Sequence, residues 1–366
     1  MSVPVPQVPV ILIGGIDPEQ MAALTIALQW DLPDSVVVHH EIDVERELLI
    51  RTVSDRRGLI QRREINVAHA CVSCAIRTDV VPTLERFAAR GRWGAIIAQL
   101  PETAEAAQVC RAIEYDQQAA PHVRISAVAV ALDGTVVAED LLGDDLLVER
   151  ALPVREDDER GVGETVSALV EYADLVVAAG HSPRAIGLLQ AIMRPGALVV
   201  ESAAEVNVGE LMVGLHEHER SEDWVQVVRR EPLPDRGTSG AWQLDFVSER
   251  PFHPERLRQR IEDLGRGARR SRGCFWLPTR PNQVCQWDGA GGMVSIGVAE
   301  DWAGEEQLTR IVVVGTDDGQ ERLAAAFRDC LLTDAELAER GCYWEANLDG
   351  MEPWLGPVPY VMARGA

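Results

Sequence analysis

Residues 10–24, VILIGGIDPEQMAAL, decide the fold. Val10 to Ile13 form an apolar run that suits a strand buried on both faces. Gly14 and Gly15 turn the chain, and EQMAALTIALQW (19–30) repeats apolar residues at helical spacing. Strand, glycine turn and helix together make the place where nucleotide-binding proteins hold phosphate on backbone N–H groups. The chemistry of the turn departs from that use. In the phosphate-loop pattern G-x-x-x-x-G-K-[ST], lysine neutralises the phosphates and the hydroxyl holds Mg²⁺. Here Gly14 takes the first glycine position, Glu19 falls at the last one, Gln20 replaces the lysine and Met21 the hydroxyl residue. Asp17 instead reads as an N-cap, Pro18 suits the first helical position, and Gln20 sits three residues after the cap, as in a capping box. The protein's own carboxylates then satisfy the helix dipole. A polyphosphate would meet like charge and no cation, so the residues favour a plain strand–helix turn and no GTP.

Outward from this turn, strand and helix patterns alternate. SVVVHHEI (35–42), WGAIIAQL (93–100), HVRISAVAVALDG (122–134), ADLVVAAG (173–180) and GALVVESA (196–203) read as strands, while DVVPTLERFAARG (79–91) and SPRAIGLLQAIM (182–193) read as helices. The alternation predicts an α/β fold: a mostly parallel sheet with helices on both faces, over residues 1–230. RREPLPDRGTSGAW (229–242) concentrates Pro, Gly and charge, which predicts a linker at 231–241. Beyond it come WQLDFVSE, helical HPERLRQRIEDL (253–264), strand-like CFWLPT and MVSIGVA, the strand RIVVVGT (310–316) and helical GQERLAAAFRDCLL. Strands dominate there and helices cluster, so a smaller α+β domain is expected over 242–366.

Composition limits the partners. The formal net charge of −23 on 366 residues repels phosphate backbones and anionic lipid, which argues against direct binding of nucleic acid or membrane. It leaves open a basic protein partner. No run of about twenty apolar residues is present, and MSVPVPQVPV lacks the basic region and apolar core of a secretory signal. The seven cysteines are an odd number and scattered, save one close pair, which suits a reduced, cytoplasmic setting.

That pair lies in NVAHACVSCAIRTDVVPTL (66–84). Cys71 and Cys74 have the C-x-x-C spacing used for zinc and for thiol redox work, and His69 can serve as a third ligand. A structural zinc site needs four donors, so others must come from elsewhere or the site stays open. His39, His40, Glu41 and Asp43, at the end of the second strand, are candidates, as is HEHE (216–219). The competing reading makes the two thiols small core residues beside a turn, and HEHE a solvated helix end. Cys110, Cys274, Cys285, Cys330 and Cys342 read as buried small residues.

With these pieces in place, the chain resembles the CobW-like family of P-loop GTPases and metallochaperones over nearly its full length. VPVILIGG matches the strand and first glycine of that family's phosphate loop, and ACVSCAIR its G-C-x-C-C-x-x-R metal motif. SERPFHPERL (248–257) resembles the opening of its C-terminal domain, and RIVVVGTDDGQERLAAAFRDCLLTDAE (310–336) the closing strand–helix unit. The resemblance implies a P-loop-like first domain, zinc as the metal, and Cys71 and Cys74 as ligands, with Ser73 where the family has its middle cysteine. It also exposes three departures. The loop lysine and hydroxyl are missing. Gln99, in IIAQLPET, stands neutral at the family's acidic strand end. AAGHSPRA replaces the guanine-reading N-K-x-D. A subgroup from actinobacteria is similar, with C-V-S-C and a lysine-free loop; it is linked to zinc starvation, and one member recruits a ribosome-hibernation protein. The resemblance therefore implies a zinc-responsive pseudo-GTPase acting as an adaptor, whose partner is a hibernation factor or a basic ribosomal protein. The alternative is the parent activity, GTP-driven metal insertion.

Overall fold

The computed structural model describes residues 6–66, 72–152, 154–155, 157–180, 182–234 and 240–359, without the side chain of Ser73. The chain divides into two compact units, residues 1–140 with 145–225, and 141–144 with 226–366. The expected linker, 231–241, belongs to the second of these, and its residues 235–239 lie outside the described residues.

The first unit runs β1 (Val8–Gly15), α1 (Pro18–Asp31), β2 (Ser35–Asp43), β3 (Leu48–Asp55), β4 (Gly58–Asn66), α2 (Val72–Ala75), α3 (Val81–Ala88), β5 (Ala95–Gln99), α4 (Ala106–Tyr115), β6 (Val123–Asp133), α5 (Val137–Leu142), α6 (Val162–Tyr172), β7 (Leu175–Ala179), α7 (Pro183–Ile192), β8 (Leu198–Val200), α8 (Val208–Val213) and α9 (His218–Val225). The strands form one sheet in the order β4-β3-β2-β5-β1-β6-β7-β8. From β2 to β8 every neighbouring pair is parallel, while β3 and β4 extend one edge as an antiparallel hairpin.

The apolar run of β1 is explained by burial on both sides. Val10 and Leu12 enter one core with Val36, Val38, Ile96 and Phe87, whereas Ile11 and Ile13 enter another with Met21, Leu24 and Leu28 of α1. Successive side chains of a strand point to opposite faces, so a sheet covered by helices on both faces needs apolar residues at every position. The expected mostly parallel sheet is what the chain forms.

Three local differences stand out. The β3–β4 hairpin was not among the expected strands. The residues of β4, GLIQRREIN, are almost all exposed, so no buried face imposes the alternation by which a strand is recognised. The helix expected from residue 79 begins instead as a π-helical turn, Ile76–Val80, before α3; Asp79 is drawn inward there by buried partners. The strand expected at 196–203 shrinks to Leu198–Val200 on the sheet edge.

The second unit holds β9 (Trp242–Ser248), α10 (Pro254–Gly265), β10 (Arg269–Phe275), β11 (Gln283–Ala290), β12 (Met293–Asp301), β13 (Thr309–Gly315), α11 (Gln320–Cys330), α12 (Asp334–Arg340) and α13 (Glu352–Leu355). Its sheet is antiparallel throughout, in the order β12-β11-β10-β13-β9. Leu257 and Leu264 of α10 and Leu323, Ala326 and Phe327 of α11 cover one face together with Phe252, Phe275 and Trp287. Arg280 and Asp349, both fully buried, pair at 2.8 Å, and the same guanidinium donates to the carbonyls of Leu355 and Gly356. This smaller α+β unit has the architecture expected of the C-terminal part.

Candidate functional site

At the tip of β1, Asp17 and Met21 are engaged within the protein. The Asp17 carboxylate accepts hydrogen bonds from the backbone N–H groups of Glu19 (2.8 Å) and Gln20 (3.2 Å). Those are the orphan donors of a helix start, the groups that would otherwise cradle phosphate. Met21 is fully buried in the core beneath α1 and packs so closely on Gly15 that a Cβ there would stand 2.9 Å from Met21 Cγ. The position that would carry the Mg²⁺-binding hydroxyl is therefore core. Gln20 is half-buried and Gly14 buried.

The loop after β5 closes over the glycines. Leu100 N–H donates to the carbonyl of Ile13 (2.9 Å) and Thr103 N–H to that of Gly15 (3.0 Å). Thr103 holds φ at 64°, a left-handed conformation that a β-branched residue seldom adopts. Gln99 accepts from Thr25 Oγ1 at 2.9 Å, tying β5 to α1. At the guanine-reading segment, Ser182 caps α7 by accepting from Ala185 N–H at 3.3 Å; His181 lies outside the described residues.

The space beside this turn is a cavity of about 320 Å³ whose lining includes Asp17, Glu102, Asp133, Asp140 and Arg150. Burial lifts the carboxyls of Glu102 and Asp140 above their ordinary range. Arg150, the basic group of the cavity, is already paired with Asp140 (2.8 Å) and Asp145 (3.0 Å). The chain contains no lysine anywhere, so no ammonium group is at hand to take a phosphate.

The described part of the thiol segment, from Val72, follows β4, whose last residue, Asn66, pairs with Leu48 at the end of the hairpin. Cys74 is exposed on α2; Cys71 and His69 lie outside the described residues. Val72 and Ala75 seat α2 against Ile42, Leu49 and Ile65 of the β2–β4 strands. Thr78 Oγ1 donates to the Cys74 carbonyl at 2.7 Å inside the π-helical turn, a deformation that often accompanies functional positions. Asp79 anchors this turn from within. It pairs with Arg51 and meets His40 Nε2 at 3.0 Å, and Arg51 also donates to Thr83 Oγ1 at 2.8 Å.

Of the other donors at the end of β2, His40 and Asp43 are engaged. His40 is bound to Asp79, and burial, its dominant influence, holds its pKa below the usual value. Burial likewise lowers His39. Burial alone would raise Asp79, but the hydrogen bonds from His40 and Arg51 hold it low. Asp43 accepts from Arg46 N–H at 2.9 Å, and Glu41 is exposed. Among the described residues no three of His, Cys, Asp and Glu gather closely enough to hold a metal ion.

The HEHE run is solvated only in part: Glu217 and Glu219 are exposed, whereas His216 and His218 turn inward. Leu215 and His216 donate their backbone N–H groups to the Ser126 carbonyl on β6, which draws the run inward. The His216 side chain is buried, with Nδ1 at 3.1 Å from Asp174 Oδ2, and His218 Nδ1 meets Tyr172 Oη at 2.8 Å. Nothing in the local sequence marks these partners, which come from 42 and 46 residues away. Cys110, Cys274, Cys285 and Cys330 are buried as expected, while Cys342 is only half-buried.

Residues 242–331, from β9 through α11, match the family model described as the cobalamin synthesis protein cobW C-terminal domain. The chain is similar to the zinc chaperone Rv0106 of Mycobacterium tuberculosis, 28% identical over 329 residues that cover 87% of this chain and 79% of that protein. It is also similar to zinc-regulated GTPase metalloprotein activator 1 of Dictyostelium discoideum, 18% identical over 338 residues, covering 80% and 70%. Among solved structures, the Zn(II)-bound YjiA GTPase from E. coli aligns with 89% of this chain and 99% of its own, at 14% identity and a TM-score of 0.36. The second unit thus carries the match to the cobW C-terminal domain, and the relatives align over most of the chain's length.

Proposed function

We propose that this protein is a zinc-responsive pseudo-GTPase: Cys71 and Cys74 take zinc, and occupancy changes affinity for a protein partner without a guanine-nucleotide cycle. One observation carries the reading. The places where the family would grip phosphate, Mg²⁺ and guanine are each engaged internally, by the Asp17 cap, the buried Met21, the Gln99–Thr25 bond and the Ser182 cap. Zinc rests on the donor type, since thiolates suit this borderline-soft ion, and on relatives whose names refer to zinc. An exposed Cys74 fits an open site whose remaining donors come from His69, from solvent or from the partner.

Binding through thiolates releases protons, so occupancy falls with acidity. Zinc shifts a conformational equilibrium only through its differential affinity for the two states. Here the element it would bias is α2 with its π-helical turn, seated on the hairpin. The partner class we infer is a basic protein surface, in keeping with the net charge of −23; a hibernation factor or a basic ribosomal protein is the specific expectation.

The names of the relatives favour a second reading, GTP-driven insertion of zinc into a client. Calorimetry with GTP and Mg²⁺ separates the two: no saturable heat is expected, and micromolar binding would overturn the first reading. Zinc titration of the wild type against Cys71→Ser/Cys74→Ser should show one binding equivalent lost in the variant. Equal stoichiometry in both would remove the thiols from the account. Co-purification from zinc-replete and zinc-starved cells then identifies the partner and the direction of the effect.

A further inference from the structure

Away from both of these places, the first unit holds a nucleophile, a base and an orienting carboxylate in sequence. Cys110 lies inside α4 and is almost wholly buried. Asp174, at the start of β7, is fixed on three sides: its Oδ2 accepts from Val128 N–H at 2.7 Å, it pairs with Arg194, and it meets His216 Nδ1 at 3.1 Å. The His216 side chain is only 4% exposed, yet its other ring nitrogen, Nε2, makes no hydrogen bond of ordinary geometry. Cys110 and His216 line one cavity, and the Tyr172 ring lies 5.7 Å from that of His216.

Burial opposes charge on His216, but the Asp174 bond and the neighbouring thiol outweigh it and push the imidazole up to about 10. A cavity of about 320 Å³ opens on the group, with Cys110, His216, His218, Glu114, Arg124 and Ile125 in its lining. A thiol beside an imidazole that a carboxylate orients is the arrangement of an activated sulfur nucleophile.

We propose that Cys110, His216 and Asp174 form a thiol modification site that reacts with small hydroperoxides entering this cavity. His216 takes the proton of Cys110. The thiolate sulfur attacks one peroxide oxygen, forming an S–O bond as the O–O bond breaks. The departing oxygen leaves with the electron pair, accepts the proton from the imidazolium and becomes water or an alcohol. Sulfur is oxidised to a sulfenic acid and the peroxide is reduced, with no further oxidant. A hydroperoxide suits the site because it adds a single oxygen to a tightly packed sulfur, and because its leaving group needs the proton that His216 holds.

Three other buried thiols serve as references. Burial, the dominant influence on each, pushes Cys274 up to about 11 and Cys285 and Cys330 up to about 12. The test treats the full chain with dilute hydrogen peroxide and dimedone, a carbon acid that traps sulfenic acid, and follows each cysteine peptide by mass spectrometry. Cys110 should be trapped about 100-fold faster than those three, the scale of one positioned acid–base group. His216→Gln should bring it down to their rate while leaving Cys74 unaffected. Guanidinium denaturation of the wild type should level all four rates, a control that stands even where the variant does not fold. A native Cys110 no faster than the buried three, an unchanged rate in a folded H216Q, or a preference that survives denaturation would each overturn the proposal.

Discussion

Replacing Asp79 with alanine strips Arg51 of its counter-ion inside the first unit. The Arg51 side chain is 2% exposed and that of Asp79 12%, so solvent cannot take over the charge. Arg51 would keep Thr83 as a partner, while its Nε has none among the described residues even in the wild type. His40, buried as well, would lose the carboxylate it meets at 3.0 Å. Breaking a buried pair from one side costs about 3–5 kcal/mol, because the remaining charge stays desolvated. For a unit of this size that corresponds to a fall in Tm of roughly 6–20 °C.

Differential scanning calorimetry is the assay. Two units can unfold in separate transitions, and the expected loss falls on the one that contains Trp93 and Trp224, with the transition of the other unmoved. The double variant Arg51→Met/Asp79→Leu removes both charges and should recover most of the loss, since apolar replacements of a buried pair are often neutral. A loss below about 1 kcal/mol in the single variant, the scale of an exposed ion pair, would refute the reasoning. It would mean that the π-helical turn following Cys74 is not anchored through Asp79.

Other expectations follow from the same geometry. Asp17→Ala should cost about 1 kcal/mol as a lost N-cap, seen in urea unfolding, while Asp17→Asn stays close to wild type; neither should confer GTP binding in calorimetry. Gly15→Ala would place a Cβ 2.7 Å from the Ala131 carbonyl oxygen, an overpacking expected to cost about 1–3 kcal/mol by thermal unfolding. His216 gives an alkaline pH dependence. Its folded pKa, about 10, exceeds the unfolded value of about 6.5, so its contribution is complete below pH about 6.5 and is lost as pH rises towards about 10. Urea midpoints measured across that window should fall more steeply in the wild type than in His216→Gln; parallel curves would exclude His216 as the source.

The sheet could be read before it was seen because its signal is local. Val10 to Ile13 must be apolar at every position if both faces are covered, and the strand lies in consecutive residues. The departure of the turn from the phosphate-loop pattern is local too: an N-cap, a proline and a missing lysine within five residues, in a chain that has no lysine at all. The hairpin strand Gly58–Asn66 carries no such signal: nearly every residue in it faces solvent, so burial imposes no period on it.

Burial and protonation could be decided only in three dimensions. HEHE looks solvated in the sequence, yet Ser126 on β6 pulls His216 inside to meet an aspartate 42 residues away. His40 and Arg51 find Asp79 across 39 and 28 residues, and Cys110 shares its cavity with an imidazole from a segment beyond seven further elements of structure. A residue type states which chemistry is available. Whether that chemistry is charged, oriented and shielded from water depends on neighbours that chain folding alone brings within reach, because desolvation and hydrogen bonding act over a few ångströms of space.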